Sequence, residues 1–225
     1  HRRLRSWGCN TIANSSDLRI CLQDRTPYAE RVECESRTIE GSWGQWGKFR
    51  DPWDPSFKSA TTAALAAHGK EAHDQWCIGF FVDNEINWGS RKRDLAEWTL
   101  MSPSDQAAKQ AALAYFTEKY KDISALNAAW KSDYANWIDF LSSVKVPGPS
   151  ATKDLEAFTE IVVDEYFKRT REAGKEFDPQ LLYLGCRFAG APEWAVVPCA
   201  KYCDVVSYNI YSEEIAGWRL AKWID

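Results

Sequence analysis

The chain is short of the features that mark several large functional classes. Its 225 residues include only three His and one Met, and no pair of its seven Cys has CxxC spacing. A structural zinc site needs clustered thiolates and imidazoles, so none is expected. No apolar run approaches the roughly 20 residues that cross a bilayer, so no membrane partner is expected. The net charge is −4 and no basic block occurs. A nucleic-acid surface would need clustered Lys and Arg, so that partner is excluded too. No glycine-rich phosphate loop follows any strand-like segment, which counts against a dinucleotide site. The leading "HRRLRSWG" is basic but lacks the apolar core of a signal peptide. It also lacks Met, so the natural start is expected upstream.

Hydrophobic residues make up 45% and charged residues 27%, the balance of an ordinary globular chain with one sizeable core. The odd number of Cys rules out complete pairing within the chain. They read mainly as small buried hydrophobes. Twelve Trp is a high count. Indoles fill cores, and they also stack on the C–H faces of sugars, so their location has to decide.

Strand-like and helix-like segments alternate. Strands are expected near 10–14, 30–36, 77–83, 182–187 and 204–208. Helices are expected over 57–72, 105–120, 123–134, 153–177 and 192–202, the last interrupted at Pro198, with another at the C-terminal end. Ser102, Pro103 and Asp105 read as cap, first residue and capping-box partner of the second helix. Leu126, Ala129 and Trp130 share one face of the third. Phe158, Ile161, Val162, Tyr166 and Phe167 follow the 3.6 period of an amphipathic helix. Such alternation predicts parallel strands with helical crossovers. Several strands end in polar or aromatic groups, the habit of a (β/α)8 TIM barrel. A whole barrel takes about 250 residues and eight strands. The chain is therefore expected to be one partial barrel domain, 1–225, holding about strands two to six.

The segment "GFFVDNEINWG" (79–89) carries the sharpest chemical signal. A buried run ends in Asp83, Asn84 and Glu85, with Asn87 and Trp88 next. Desolvation beside the core would raise the Glu85 carboxyl and suit it to general acid work. The alternative is an acidic cap with Glu85 in solvent. Alternation sends Asn84 and Glu85 to opposite faces, so both reach one site only if the strand ends or bulges there. The loop "EGSWGQWGKFRDPWDPSF" (40–57) offers Trp43 and Trp46 as a sugar platform, or else a lid packed on its own domain. Arg187 could hold hydroxyls or a carboxylate. Tyr208 could orient a catalytic carboxylate, with Asn209 and Tyr211 beside it. His68 and His73 read as surface residues.

Four segments, "GFFVDNEINWG", "ISALNAAWKSDYANW", "LYLGCRFAG" and "KYCDVVSYNIYS", together resemble clan A glycoside hydrolases, and most closely the β-agarases of glycoside hydrolase family 50. The "LNAAW" stretch is also similar to family 42 β-galactosidases. The resemblance runs from about Trp7 to Trp218. It implies a (β/α)8 barrel with Asn84 and Glu85 at the end of strand four. Glu85 would be the acid/base, and Asn84 would bind the sugar beside the cleaved bond. Trp43, Trp46, Trp88, Arg187, Tyr208 and Asn209 would complete the sugar site. It implies retention of configuration through two carboxylates about 5–5.5 Å apart. The nucleophile would be a Glu on strand seven, expected beyond Asp225, since Glu213 and Glu214 follow strand six. The substrate would be agarose or a galactose-containing oligosaccharide, cut at β-1,4 linkages without metal or organic cofactor. A polymer substrate implies an extracellular or periplasmic location. A β-galactosidase-like exo-enzyme and a non-catalytic carbohydrate-binding relative are the competing readings.

Overall fold

A computed structural model describes residues 1–212 of the chain. The expected C-terminal helix, Glu213 and Glu214 lie outside the described residues. Helices α1 (Arg2–Ser6) and α2 (Leu18–Cys21) precede strand β1 (Tyr28–Val32); α3 (Pro55–Ala67) and α4 (Gly69–Ala72) lead to β2 (Cys77–Val82). Then come α5 (Asp94–Leu100), α6 (Ala107–Tyr120), α7 (Ile123–Trp130), α8 (Trp137–Ser142), α9 (Thr152–Phe177) and α10 (Glu193–Tyr202).

β1 and β2 pair in parallel, with Val32 opposite Val82 and a register shift between Tyr28 and Glu30. Single parallel bridges extend this order on both sides: Ile12 to Tyr28, Phe80 to Tyr183, and Phe188 to Tyr208. The five segments expected as strands thus lie side by side in chain order. Only two are regular strands, and β1 begins two residues earlier than the expected 30–36. The segment at 182–187 is kept irregular by its backbone. Gly185 has φ +82° and Arg187 φ +56°. A side chain at Gly185 would meet the carbonyl of Val205 at 3.1 Å. Left-handed residues turn the ladder off its pleat, yet Phe80, Val82 and Glu85 still donate backbone bonds to Leu182, Gly185 and Cys186.

The helices cover this sheet in part through α9. Its buried face carries Leu155, Phe158, Val162, Tyr166, Phe167, Thr170 and Ala173, the expected period; Ile161 is at its exposed edge. α9 packs on α3, α5 and α10. The core is unusually aromatic: Trp88 stacks on Phe167 and meets Phe49 and Tyr166 edge-on.

Several local expectations are corrected. α6 starts at Ala107, because Asp51 supplies a cap from a distant loop: its Oδ2 accepts from Ala108 N and Gln106 Nε2, both at 2.8 Å. Ser102 instead ties Trp98 O to Gly41 N. Ala129 is exposed, while Leu126 and Trp130 are buried. α10 runs through Pro198. His73 is exposed, but His68 is half-buried, edge-on to Phe80. All seven Cys are free; Cys21, Cys34, Cys186 and Cys199 are buried, whereas Cys9 is exposed.

Asp83 fastens the sheet to the helices. Its Oδ1 accepts from Cys34 N at 2.9 Å, and its Oδ2 accepts from Tyr166 OH at 2.7 Å. Burial pushes its carboxyl up, against the pull of these donors and of Arg50. Asp83→Ala is expected to cost about 1–3 kcal/mol for each orphaned partner. A carboxyl raised in the folded state adds stability that is whole below the unfolded pKa and fades as pH climbs through the folded one. Denaturation of wild type and Asp83→Asn across pH therefore tests the node. The wild type should be favoured most in acid and lose ground as pH rises; a gap that is flat or grows with pH would contradict this.

Candidate active site

The site is built where β2 runs out. Val82 is the last strand residue, and Asp83 and Glu85 take φ values of +59° and +48°. Non-glycine residues in this region are uncommon and cost energy, so the turn must be held from outside. The Asp83 bonds do this on one side. On the other, Glu85 N donates to Cys186 O at 3.1 Å. The strand therefore ends as the sequence required, and Asn84 and Glu85 both reach the cleft.

Glu85 is half-buried. Its Oε1 accepts from Asn209 Nδ2 at 2.6 Å and from Tyr211 OH. Its Oε2 accepts from Trp46 Nε1 at 2.8 Å. Asn84 Oδ1 accepts from Arg187 Nη1 at 3.2 Å. Arg187 itself is fixed through its backbone N–H on Ser207 Oγ, and its guanidinium lies 5.7 Å from the Phe81 ring centre. Asn209 N donates to Phe188 O, so the bridge between these two segments places the Asn209 amide. Glu33, Lys48, Phe49 and Arg50 line the same cleft as Trp46 and Glu85.

The expected rise of the Glu85 carboxyl is corrected. The Tyr211 hydroxyl, the Asn209 amide, the Trp46 indole and the positive Arg187 outweigh its partial burial and hold it below its ordinary range. Donors to the charged form favour the charged form. The raised carboxyl at this strand end is Asp83.

Five expected residues meet here: Asn84, Glu85, Trp46, Arg187 and Asn209. Trp43 stands beside them, 64% exposed and edge-on to Trp98, with its carbonyl accepting from Asn87 Nδ2. The aromatic loop is thus divided: Phe49 and Phe57 are core, Trp53 stacks on Phe158, and only Trp43 and Trp46 open to solvent. Two expectations are corrected. Trp88 is 2% exposed, so its faces are occupied by core rings and cannot receive a sugar. Tyr208 directs its hydroxyl into the interior, where it has no hydrogen-bond partner among the described residues. The phenol that orients Glu85 is Tyr211. It lies two residues beyond Asn209, and that i, i+2 relation was the available signal, since alternate residues share a face. Asp83 and its Tyr166 partner gave no local signal, because 83 residues separate them.

Among the described residues no three His, Cys, Asp or Glu side chains converge as a metal site would, and no helix is long and apolar enough to cross a membrane.

A carboxylate and an amide thus stand at the end of a parallel strand, ringed by indole, phenol and guanidinium. The relatives of the chain are glycoside hydrolases, and among them it is related to the β-agarases of glycoside hydrolase family 50. It is 32% identical over 231 residues to Beta-agarase B of Vibrio sp. (strain JT0107), which covers 95% of this chain and 24% of that protein. The crystal structure of the agarase AgWH50C superposes with a TM-score of 0.86 at 29% identity, over 97% of this chain and 33% of that one. An exo-β-agarase structure gives 0.86 at 30% identity, over 97% and 32%. The chain thus spans about a quarter of the length of the curated relatives it matches. No protein-family model matches it.

The two tryptophans separate core from cleft. Trp88→Ala is expected to cost about 3–5 kcal/mol of stability. Trp43→Ala should stay within about 0.5 kcal/mol of wild type. Urea denaturation of both checks this; comparable losses would mean that Trp43 too is structural.

Proposed function

We propose that this chain carries the acid/base half of the catalytic centre of a retaining, β-agarase-like glycoside hydrolase, acting on β-1,4-galactosidic linkages of agarose or its oligosaccharides. The 225 residues would form one partial (β/α)8 domain, about strands two to six. The location of such an enzyme would be extracellular or periplasmic, where its polymer is. The observation that carries the reading is the position of Glu85: at the end of a parallel strand, beside Asn84, with three neutral donors on its oxygens.

Glu85 would protonate the leaving oxygen in the first step, then deprotonate water in the second. Held ionised in the free protein, it is ready for the second role. For the first it must gain a proton. A bound sugar excludes water from the cleft, which favours the neutral carboxyl. Asn84, steadied by Arg187, would bind the hydroxyl next to the cleaved bond. Trp43 presents a free indole for stacking. The second carboxylate would come from outside the described residues. Asp83 is committed to Tyr166 and Cys34, and Glu33 pairs with Arg31 at 2.9 Å.

The test is hydrolysis by the protein as its natural reading frame encodes it. Glu85→Gln should lower kcat/KM on agaro-oligosaccharides by about 10²–10⁴. A dinitrophenyl glycoside, whose leaving group needs no proton, should be far less affected in its first step. Unchanged oligosaccharide hydrolysis in Glu85→Gln would reject the acid/base role. Sugar binding without hydrolysis in the wild type would favour a carbohydrate-binding relative.

A further inference from the structure

The two oxygens of Glu85 are not equivalent. Oε1 accepts from both Asn209 and Tyr211, which uses its two lone pairs. Among the described residues, Oε2 accepts only from Trp46, so one lone pair stays open to the cleft. We propose that Trp46 is a positioning residue for Glu85: its indole N–H fixes Oε2, and Oε2 is the oxygen through which the catalytic proton enters and leaves. This rests on the acid/base reading above, and it gives Trp46 a task different from stacking on sugar.

The loop around Trp46 is built to aim it. Gly47 N closes a turn on Gly44 O at 3.2 Å. A side chain at Gly44 would lie 2.4 Å from the carbonyl of Gly47, so the turn requires glycine there. Asn87, two residues beyond Glu85, grips the same loop by donating to Trp43 O at 2.9 Å. The segment that carries the carboxylate thus also anchors the loop that carries its donor. The other charged or titratable groups around Glu85 are Tyr211, Arg187, Glu33, Lys48, Arg50 and Asp83. None of them bonds Oε2.

In the acid form, the proton occupies the open lone pair of Oε2 while Trp46 donates to the other. On transfer, the Oε2–H bond breaks, a hydrogen–oxygen bond forms at the leaving group, and the negative charge returns to the carboxylate. The indole N–H then faces an anionic oxygen, a stronger bond than before. It therefore helps the proton leave. In the second step water returns a proton to Oε2, and the balance is restored.

Trp46→Phe keeps a ring face and removes the N–H; Trp46→Ala removes both. For Trp46→Phe, kcat should fall about tenfold, the worth of one hydrogen bond to a charged group, with KM little changed. The first step needs protonated Glu85, so its pKa sets the alkaline limb of kcat/KM. Losing a donor to the carboxylate raises that pKa, and the limb should move to higher pH. Wild-type kcat and pH profile in Trp46→Phe, with a raised KM only in Trp46→Ala, would assign Trp46 to stacking and overturn the proposal. A second measurement needs no turnover. Trp46 emission, taken as wild type minus Trp46→Phe, should titrate with a carboxyl midpoint, and that titration should vanish in Glu85→Gln. A pH-independent difference would also overturn it. Loss of activity in Glu85→Gln and in Trp46→Phe are separate results, so failure of the acid/base reading is told apart from failure of this one.

Discussion

The cleft depends on a carboxyl group that never reaches it. Asp83 is buried at the end of β2, and its two oxygens are committed to different parts of the chain. One holds the backbone just past β1, and the other holds the α9 phenol. Burial denies this carboxyl its water, and the two tethers supply donors in its place. Together they force β2 to stop and turn through left-handed backbone at Asp83 and Glu85. Without that turn, strand alternation would put Asn84 and Glu85 on opposite faces. The two tethers hold the turn against its own backbone strain.

Two carboxyl groups two residues apart are pushed in opposite directions. Asp83 is raised because water is excluded from it, and Glu85 is lowered because tyrosine, asparagine and tryptophan donors surround a half-open group. Environment assigns the roles: one carboxyl is a structural tie, and the other is a chargeable group facing the cleft. The donors on Glu85 come from two separate stretches of chain, the loop at 46 and the segment at 209–211. The parallel bridges from Phe80 to Tyr183 and from Phe188 to Tyr208 set the second beside β2, and Asn87 holds the first by its bond to Trp43 O. The irregular ladder positions the site as a regular strand would.

Much of this was legible in the sequence because it is local or periodic. The alternation of segments, the buried face of α9 and the polar end of "GFFVDNE" need only nearest neighbours to be read. The misreadings have two causes, partners far away along the chain and local left-handed backbone. Asp51 caps α6 from 57 residues away, so the Ser102–Asp105 pattern was a false start. Trp88 looks like a site residue beside Glu85, yet left-handed residues redirect the chain and it enters the core. The direction of the Glu85 shift was missed because burial can be guessed from a strand, whereas the convergence of Trp46, Asn209 and Tyr211 on its two oxygens cannot. Strand character at 182–187 was overestimated, since apolar composition does not reveal that Gly185 and Arg187 take positive φ.

In the free protein the donors on Glu85 hold its carboxyl below the ordinary range and so favour the ionised form. The direct measurement is the pH titration of its side-chain carbon by carbon-13 NMR, assigned by comparison with Glu85→Gln. The expected midpoint lies below that of an ordinary glutamate, which titrates near about 4.3. A midpoint above that value would mean that burial governs Glu85, as the bare sequence suggested, and that the three donors do not meet it in solution.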